Sequence, residues 1–314
     1  MDITYLLWLQ DFRLSINDAL TPFVNQLSYF AISYILLLPL FVYWCLDKKK
    51  GLFILFSWKL SQTMNAVLKL TACIYRPWIR DSRIIPANNA IATAGGYSFP
   101  SGHTMMCTPL YGGLAVITKN KAMKLFWFAL IILTMISRNY LGVHTPQDVI
   151  VGFVFGLLAL WIGQKVFAYL EEHPEKDIMI MILSVLAGVL TLVYVTYKPY
   201  PMDYVDGKLL VDPVKMQIDS WGDAGGFASF AVMWYIESRF VKFTPTGWNV
   251  KGIVLAIVGM IPYCWMLDNL NGVTSGMFGA HWGRFASQTV MLFYMMVVWP
   301  VVIKIFTGSA KTDN

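Results

Sequence analysis

Apolar residues in this chain gather into runs close to the roughly 20 positions that carry a helix across a bilayer, and polar residues collect between those runs. Only helices and closed barrels satisfy their backbone in hydrocarbon, and runs this long and unbroken predict helices. The start of the chain is different. From Tyr5 to about Asp18, Leu6, Leu7, Trp8, Leu9 and Phe12 alternate with Gln10, Asp11 and Arg13, a mixture that predicts a helix lying in the interface. Spans are then predicted at 23–46, 52–75, 102–118, 125–141, 147–168, 178–197, 226–240, 252–270 and 285–305. The expected architecture is an all-α, polytopic transmembrane bundle of about nine spans, entered by an interfacial helix over residues 1–20.

The first run stops at Asp47-Lys48-Lys49-Lys50, and the excess of lysine in cytoplasmic loops places that turn inside. On this map thirteen Lys and Arg, Lys304 and Lys311 included, fall on the side of that turn, and nine on the other. The expected layout therefore has its N-terminus outside and its C-terminus in the cytoplasm. Composition agrees with lipid: 57% of residues are hydrophobic and 13% charged, against about 45–50% and about 25% in soluble domains. The net charge of +6 argues for no nucleic-acid partner, because the basic residues sit in short loops between apolar runs. Cys45, Cys73, Cys107 and Cys264 lie in or beside apolar segments without metal or disulfide spacing.

Three polar strings interrupt this pattern, and all three fall at predicted outer ends of spans. Lys69 and Arg76-Pro77 are seven residues apart, two helical turns, which predicts that both project from one face as the second span ends. Pro100-Ser101-Gly102-His103 opens the third span: Ser101 can cap the helix, and Gly102 lets an anion reach backbone N–H groups at the positive end of the dipole. In Ser137-Arg138 followed by His144, Thr145-Pro146 and Asp148, the fourth span ends and the fifth begins. Asp148 has a structural reading, as partner of Thr145 in a capping box. It also has a chemical one, holding one nitrogen of His144 so that the other is free to attack phosphorus.

Two histidines, three fixed cations and a helix-opening Ser-Gly are the parts that phosphoryl transfer through a phosphohistidine needs. His103, His144 and Asp148 are also plausible metal ligands, but Lys69, Arg76 and Arg138 already bring positive charge and would repel a dication. The reading is therefore of a site without metal or other cofactor. His173, in Glu171-Glu172-His173-Pro174-Glu175, reads as a loop residue on the inner side. His281 and Arg284 fall outside and are candidates to border the entrance.

The strings Lys-x6-Arg-Pro, Pro-Ser-Gly-His and Ser-Arg-x5-His-x3-Asp resemble the type 2 phosphatidic acid phosphatase (PAP2) superfamily, whose distant members include vanadium haloperoxidases. Eleven positions match in order, from Lys69 to Asp148. The resemblance implies a PAP2-like catalytic core over residues 21–200, followed at 201–314 by an additional outer loop and three further spans. It makes His144 the nucleophile, Asp148 its orienting partner and His103 the general acid, with Lys69, Arg76, Ser101, Gly102 and Arg138 around the phosphoryl oxygens. It implies metal-independent hydrolysis of a lipid phosphate or diphosphate, of the prenyl diphosphate, phosphatidate or sphingoid phosphate class, at the outer membrane surface of a bacterial plasma membrane. The nine-span layout is similar to the glucose-6-phosphatase and sphingoid-phosphate phosphatase branches. Three alternatives stay open: a small soluble ester such as a sugar phosphate as substrate, a lipid rather than water as acceptor, and an anionic-lipid transporter without chemistry. Transporters place their binding groups near the bilayer midplane, whereas these strings gather at one interface.

Overall fold

The computed structural model describes residues 2–307; the predicted cytoplasmic end, with Lys311, lies outside them. The chain is a multi-pass helical bundle. Helix α1 (Asp2–Ser15) lies where the interfacial helix is predicted. It exposes Trp8 and Phe12 and buries Leu6, Leu9 and Arg13. Arg13 donates from Nη2 to the Ile85 carbonyl at 2.7 Å, so α1 is tied to the loop that carries the Arg76 string.

Among the described residues, five helices are long and apolar enough to cross a membrane: α7 (Lys121–Tyr140), α8 (Pro146–Glu172), α9 (Asp177–Tyr197), α11 (Val250–Phe278) and the run from α12 (Ala280–Phe293) through α13 (Trp299–Thr307). They correspond to five of the nine predicted spans. The nine-span count is not reproduced, and the four remaining segments depart from it for separate reasons.

The predicted span 23–46 is broken. Helix α2 (Thr21–Phe30) gives way to turns, and α3 (Leu37–Phe41) then runs into a π-helical turn over Val42–Leu46. Pro39 has no N–H to give the Ile35 carbonyl, and Leu38 N–H takes that carbonyl instead, at 3.1 Å. The predicted span 52–75 lies in α4 (Lys48–Ala72), which is long enough but too polar for a lipid-facing helix. Its surroundings explain this. Helix α4 packs against α6 (Gly102–Ile117), α8, α9 and α10 (Pro213–Ile236), so Ser57, Lys59, Ser61 and Thr63 are buried in protein rather than lipid. At its lysine-rich end Lys48 pairs with fully buried Glu237 at 2.6 Å.

Helix α6 occupies the predicted span 102–118 but, at 16 residues, falls short of spanning length. The predicted span 226–240 begins earlier than hydrophobicity suggests, because Asp212 caps α10 with Pro213 in its first turn. Gly222 and Gly225 read as loop residues in the sequence, yet here they let α10 close on α12: a Cβ on Gly225 would stand 2.2 Å from the Phe285 ring. The expected outer loop from Lys198 to Gly226 therefore shrinks to 198–212, with a short hairpin of β1 (Tyr204–Val205) and β2 (Lys208–Leu209), and Asp219 and Asp223 move onto α10.

Candidate active site

The three strings meet at one end of the bundle, where α4 ends, α6 and α8 begin and α7 ends. Lys69 and Arg76 do not share a helical face as predicted. Helix α4 stops at Ala72, Cys73 takes a left-handed conformation at φ 48°, and its N–H closes on the Lys69 carbonyl at 3.0 Å. Arg76 is extended, at φ −65° and ψ 153°, because the ring of Pro77 disfavours helix in the residue before it. Pro77 then opens the short helix α5 (Pro77–Arg80).

This break aims Arg76 inward. Its guanidinium is 4% exposed and donates to the carbonyls of Gly95, Gly96 and Val143 at 2.9–3.1 Å. Its Nη1 also lies 2.8 Å from His144 Nε2. A guanidinium cannot accept, so Nε2 must present a lone pair, and the imidazole proton is on Nδ1. That proton faces Asp148 Oδ2 at 3.3 Å. The tautomer is thus assigned by the partners on both sides of the ring. Burial, and after it the charges of Arg76, Arg138 and Lys69, hold the His144 pKa well below its ordinary value. Burial also lowers Arg76, to about 10, which leaves it charged at neutral pH.

One carboxylate oxygen serves three donors. Asp148 Oδ2 accepts from Ser98 Oγ at 2.6 Å and from Thr145 N–H at 2.8 Å, and it faces His144 Nδ1. The capping box of Thr145 and Asp148 is present, with Pro146 in the first turn of α8. Ser101 caps α6 by accepting from Thr104 N–H, and its own N–H donates to the Asp148 carbonyl at 2.9 Å, which ties the starts of α6 and α8 together. Asn139 Nδ2 holds the His144 carbonyl at 2.9 Å.

Lys69 is buried with all three donors on main-chain carbonyls: Tyr97 and Ser98 at 3.1 Å and Pro100 at 2.7 Å. It acts as a strut under the segment that carries Ser98 and Ser101. Arg138 differs. It is fully buried, donates from Nη1 to Ser28 Oγ at 2.6 Å, and has no partner for Nε or Nη2 among the described residues. His103, in the first turn of α6, is 5% exposed, and its Nε2 is likewise unpartnered. Arg138, His144, Arg76 and Lys69 are all close enough to act on His103 electrostatically. Gly102 meets nothing tighter than Asn65 Oδ1, which a Cβ would reach at 3.5 Å, so packing alone does not demand glycine there.

All three strings of this cluster lie within residues 50–172, which fit the model of the PAP2 superfamily. Over these residues the chain is similar to the PAP2 superfamily. Phosphatidylglycerophosphatase B of Bacillus subtilis (strain 168) is 30% identical over 135 residues, which cover 40% of this chain and 62% of that protein. The bacitracin transport permease protein BcrC of Bacillus licheniformis is 26% identical over 153 residues, 45% of this chain and 73% of that one. The chain thus spans less than two thirds of the first relative. No solved structure matches significantly.

Around the PAP2 stretch, the structure adds residues that sequence reasoning missed. Ser98 and Asn139 stand near the strings but carry no motif of their own, and Ser28 reaches Arg138 across 110 positions, which only folding reveals. His281 and Arg284 are not brought to this cluster. His281 packs on Trp221 with ring centroids 5.3 Å apart, and Arg284 lines a different cavity. His173 is half exposed beside Glu175 at the opposite end of α8. Among the described residues there is no group of three or more His, Cys, Asp or Glu side chains arranged to hold a metal ion.

Proposed function

We propose that this protein is a membrane phosphatase that hydrolyses a lipid phosphate or diphosphate through a phosphohistidine. The observation that carries the reading is the hydrogen bond from Arg76 to His144 Nε2: it fixes Nε2 as the unprotonated nitrogen while Asp148 holds the opposite one, and Arg76 passes from this lone pair to the phosphoryl oxygens as attack begins. The unpartnered donors of Arg138 supply a place for phosphoryl oxygens, where buried charge stabilises a transition state most strongly. Gly102, unconstrained by packing at the start of α6, leaves room for an oxygen to approach the first N–H groups of that helix.

In the first step the His144 Nε2–P bond forms as the ester P–O bond breaks, and His103 gives a proton to the leaving oxygen. In the second, water attacks phosphorus while His103 takes its proton back. The Nε2–P bond breaks and inorganic phosphate leaves. Ser101 caps the helix that presents Gly102 and His103, and Lys69 holds the Tyr97–Pro100 segment in register for it. No metal takes part, since the cations of the chain supply the charge. A bilayer substrate is supported by the cluster's position at one end of a membrane bundle and by the name of the Bacillus subtilis relative, a phosphatase of a phospholipid. The Lys48–Lys50 turn at the other end of α4 supports placing the site on the outer face.

The test is phosphate release by purified protein and by His144→Ala, with a chelator present, from a prenyl diphosphate, phosphatidate, a sphingoid phosphate and glucose 6-phosphate. Release by wild type alone, fastest from a lipid, is expected. Equal release by both proteins would refute the mechanism. Preference for glucose 6-phosphate would move the substrate to soluble esters, and phosphate appearing on an added lipid alcohol would make the protein a phosphotransferase.

A further inference from the structure

Apart from the candidate active site, a polar cavity of about 380 Å³ lies between the α2–α3 turn, the middle of α4, and helices α11 and α12. None of the motif residues lines it. Lys59 does, although it stands ten residues before Lys69 on α4 and so about 15 Å further along the axis. Lys59 is 2% exposed, its ammonium sits over the Trp58 ring at 4.5 Å, and it donates to Gln288 Oε1 at 2.8 Å. That is one acceptor, among the described residues, for three donors.

The same wall carries more unsatisfied groups. Arg284 reaches in from α12, with Nη2 3.9 Å from Asp219 Oδ1 and Nε buried without a partner among the described residues. Trp58 Nε1 and Gln62 Oε1 are buried and unpartnered as well. Native interiors leave few such groups unpaired, and ionisable residues within a membrane bundle mark ligand sites more often than scaffold. Donors dominate the floor: Lys59, Arg284 and Trp58 against the single orphan acceptor of Gln62. Asp223 acts on Lys59 and Asp219 on Arg284, but neither lines the cavity, and Asp268 lies at its exposed mouth. The remaining walls are apolar, with Met266, Met291 and Leu292 among them.

We infer that this cavity is a second, non-catalytic binding site for a phosphate-type oxyanion, held by Lys59, Arg284 and the indole N–H of Trp58. Tyr29 and Tyr34 line both this cavity and an adjoining one that contains Ser28, the partner of Arg138. Tyr29 and Tyr34 thus lie between the second site and Ser28, and the anion is supplied either by a lipid headgroup or as free phosphate.

The experiment is equilibrium binding to the full chain in detergent, in a His144→Ala background that prevents turnover. Inorganic phosphate and dihexanoyl phosphatidate are the two probes, with bound copies counted by native mass spectrometry. Two bound copies are expected, and one after Lys59→Gln with Arg284→Gln. Trp58→Phe, which keeps the ring and removes the donor, should weaken the second copy at least threefold and so guards against a charge variant that fails to fold. Binding of phosphatidate alone makes the site a lipid-headgroup site, and equal binding of both probes makes it a free-anion site. A stoichiometry unchanged by Lys59→Gln, Arg284→Gln and Trp58→Phe overturns the inference. One copy that vanishes with these variants would instead uphold it and count against phosphate binding at Arg138.

Discussion

On the proposed mechanism Asp148 bears two roles that a single substitution separates. As a cap it holds Thr145 N–H, and as an orienting group it faces His144 Nδ1, with both donors and Ser98 converging on one oxygen. Asp148→Asn keeps the shape, and an amide oxygen in that place still accepts all three hydrogen bonds. The cap survives at a cost of about 1 kcal/mol for each of the Ser98 and Thr145 bonds, the difference between charged and neutral hydrogen bonds. The catalytic loss is larger. Attack on phosphorus puts a positive charge on the imidazole, which a carboxylate at 3.3 Å stabilises by about 5 kcal/mol at an effective dielectric constant of about 20. A neutral acceptor retains about 1 kcal/mol of this, leaving about 4, or a fall of about 10³ in the rate of the chemical step. Single-turnover phosphate release, with thermal melting of the same preparations, measures both quantities. A folded Asp148→Asn protein that reacts within tenfold of wild type would refute the orienting role and leave Asp148 as a cap alone.

Lys69→Met should cost more stability than any other substitution at the site, because it strands three buried carbonyls at about 1–3 kcal/mol each; a melting temperature close to wild type would show that Lys69 is not a strut. Gly102→Ala should leave melting unchanged, since its Cβ meets nothing closer than Asn65 Oδ1 at 3.5 Å, and should weaken inhibition by vanadate at least tenfold; unchanged inhibition removes Gly102 from the anion site. The depressed pKa of His144 keeps the ring neutral below its ordinary value of about 6.5. The acid limb of kcat/KM, which reports the free enzyme, should therefore lie below that pH, and Arg76→Gln, by removing a cation, should move it upward. The same depression contributes stability that is present above about pH 6.5, where unfolded His is also neutral, and lost as pH falls below it, because only the unfolded chain then takes the proton; unfolding titrations of wild type and His144→Gln between pH 5 and 8 check the sign.

How much was legible in the sequence depended on whether the cause was local. Capping is local, so the starts of α6 and α8 at Ser101 and Thr145 could be read residue by residue. Spans facing lipid were legible too, because hydrocarbon imposes a mean hydropathy on every such helix: α7, α8, α9, α11 and the α12–α13 run fall where their apolar runs do. Helices surrounded by protein escape that constraint. Helix α4 carries buried Lys59 because α6, α8, α9 and α10 enclose it, and α10 uses Gly222 and Gly225, which read as loop, to close on α12. The strings identified His103, Arg138, His144 and Asp148 as candidates, but pairing across the fold decided what each can do. Ser28, distant in sequence, meets Arg138 and leaves two of its nitrogens unpartnered, whereas Lys69 spends every donor on carbonyls of the Tyr97–Pro100 segment. The sequence by itself determined which residues are candidates for the chemistry and where lipid-facing helices run, since both follow from residue type and near neighbours; the tertiary structure alone decided which charges are satisfied and which remain available, because that depends on partners brought together from distant parts of the chain.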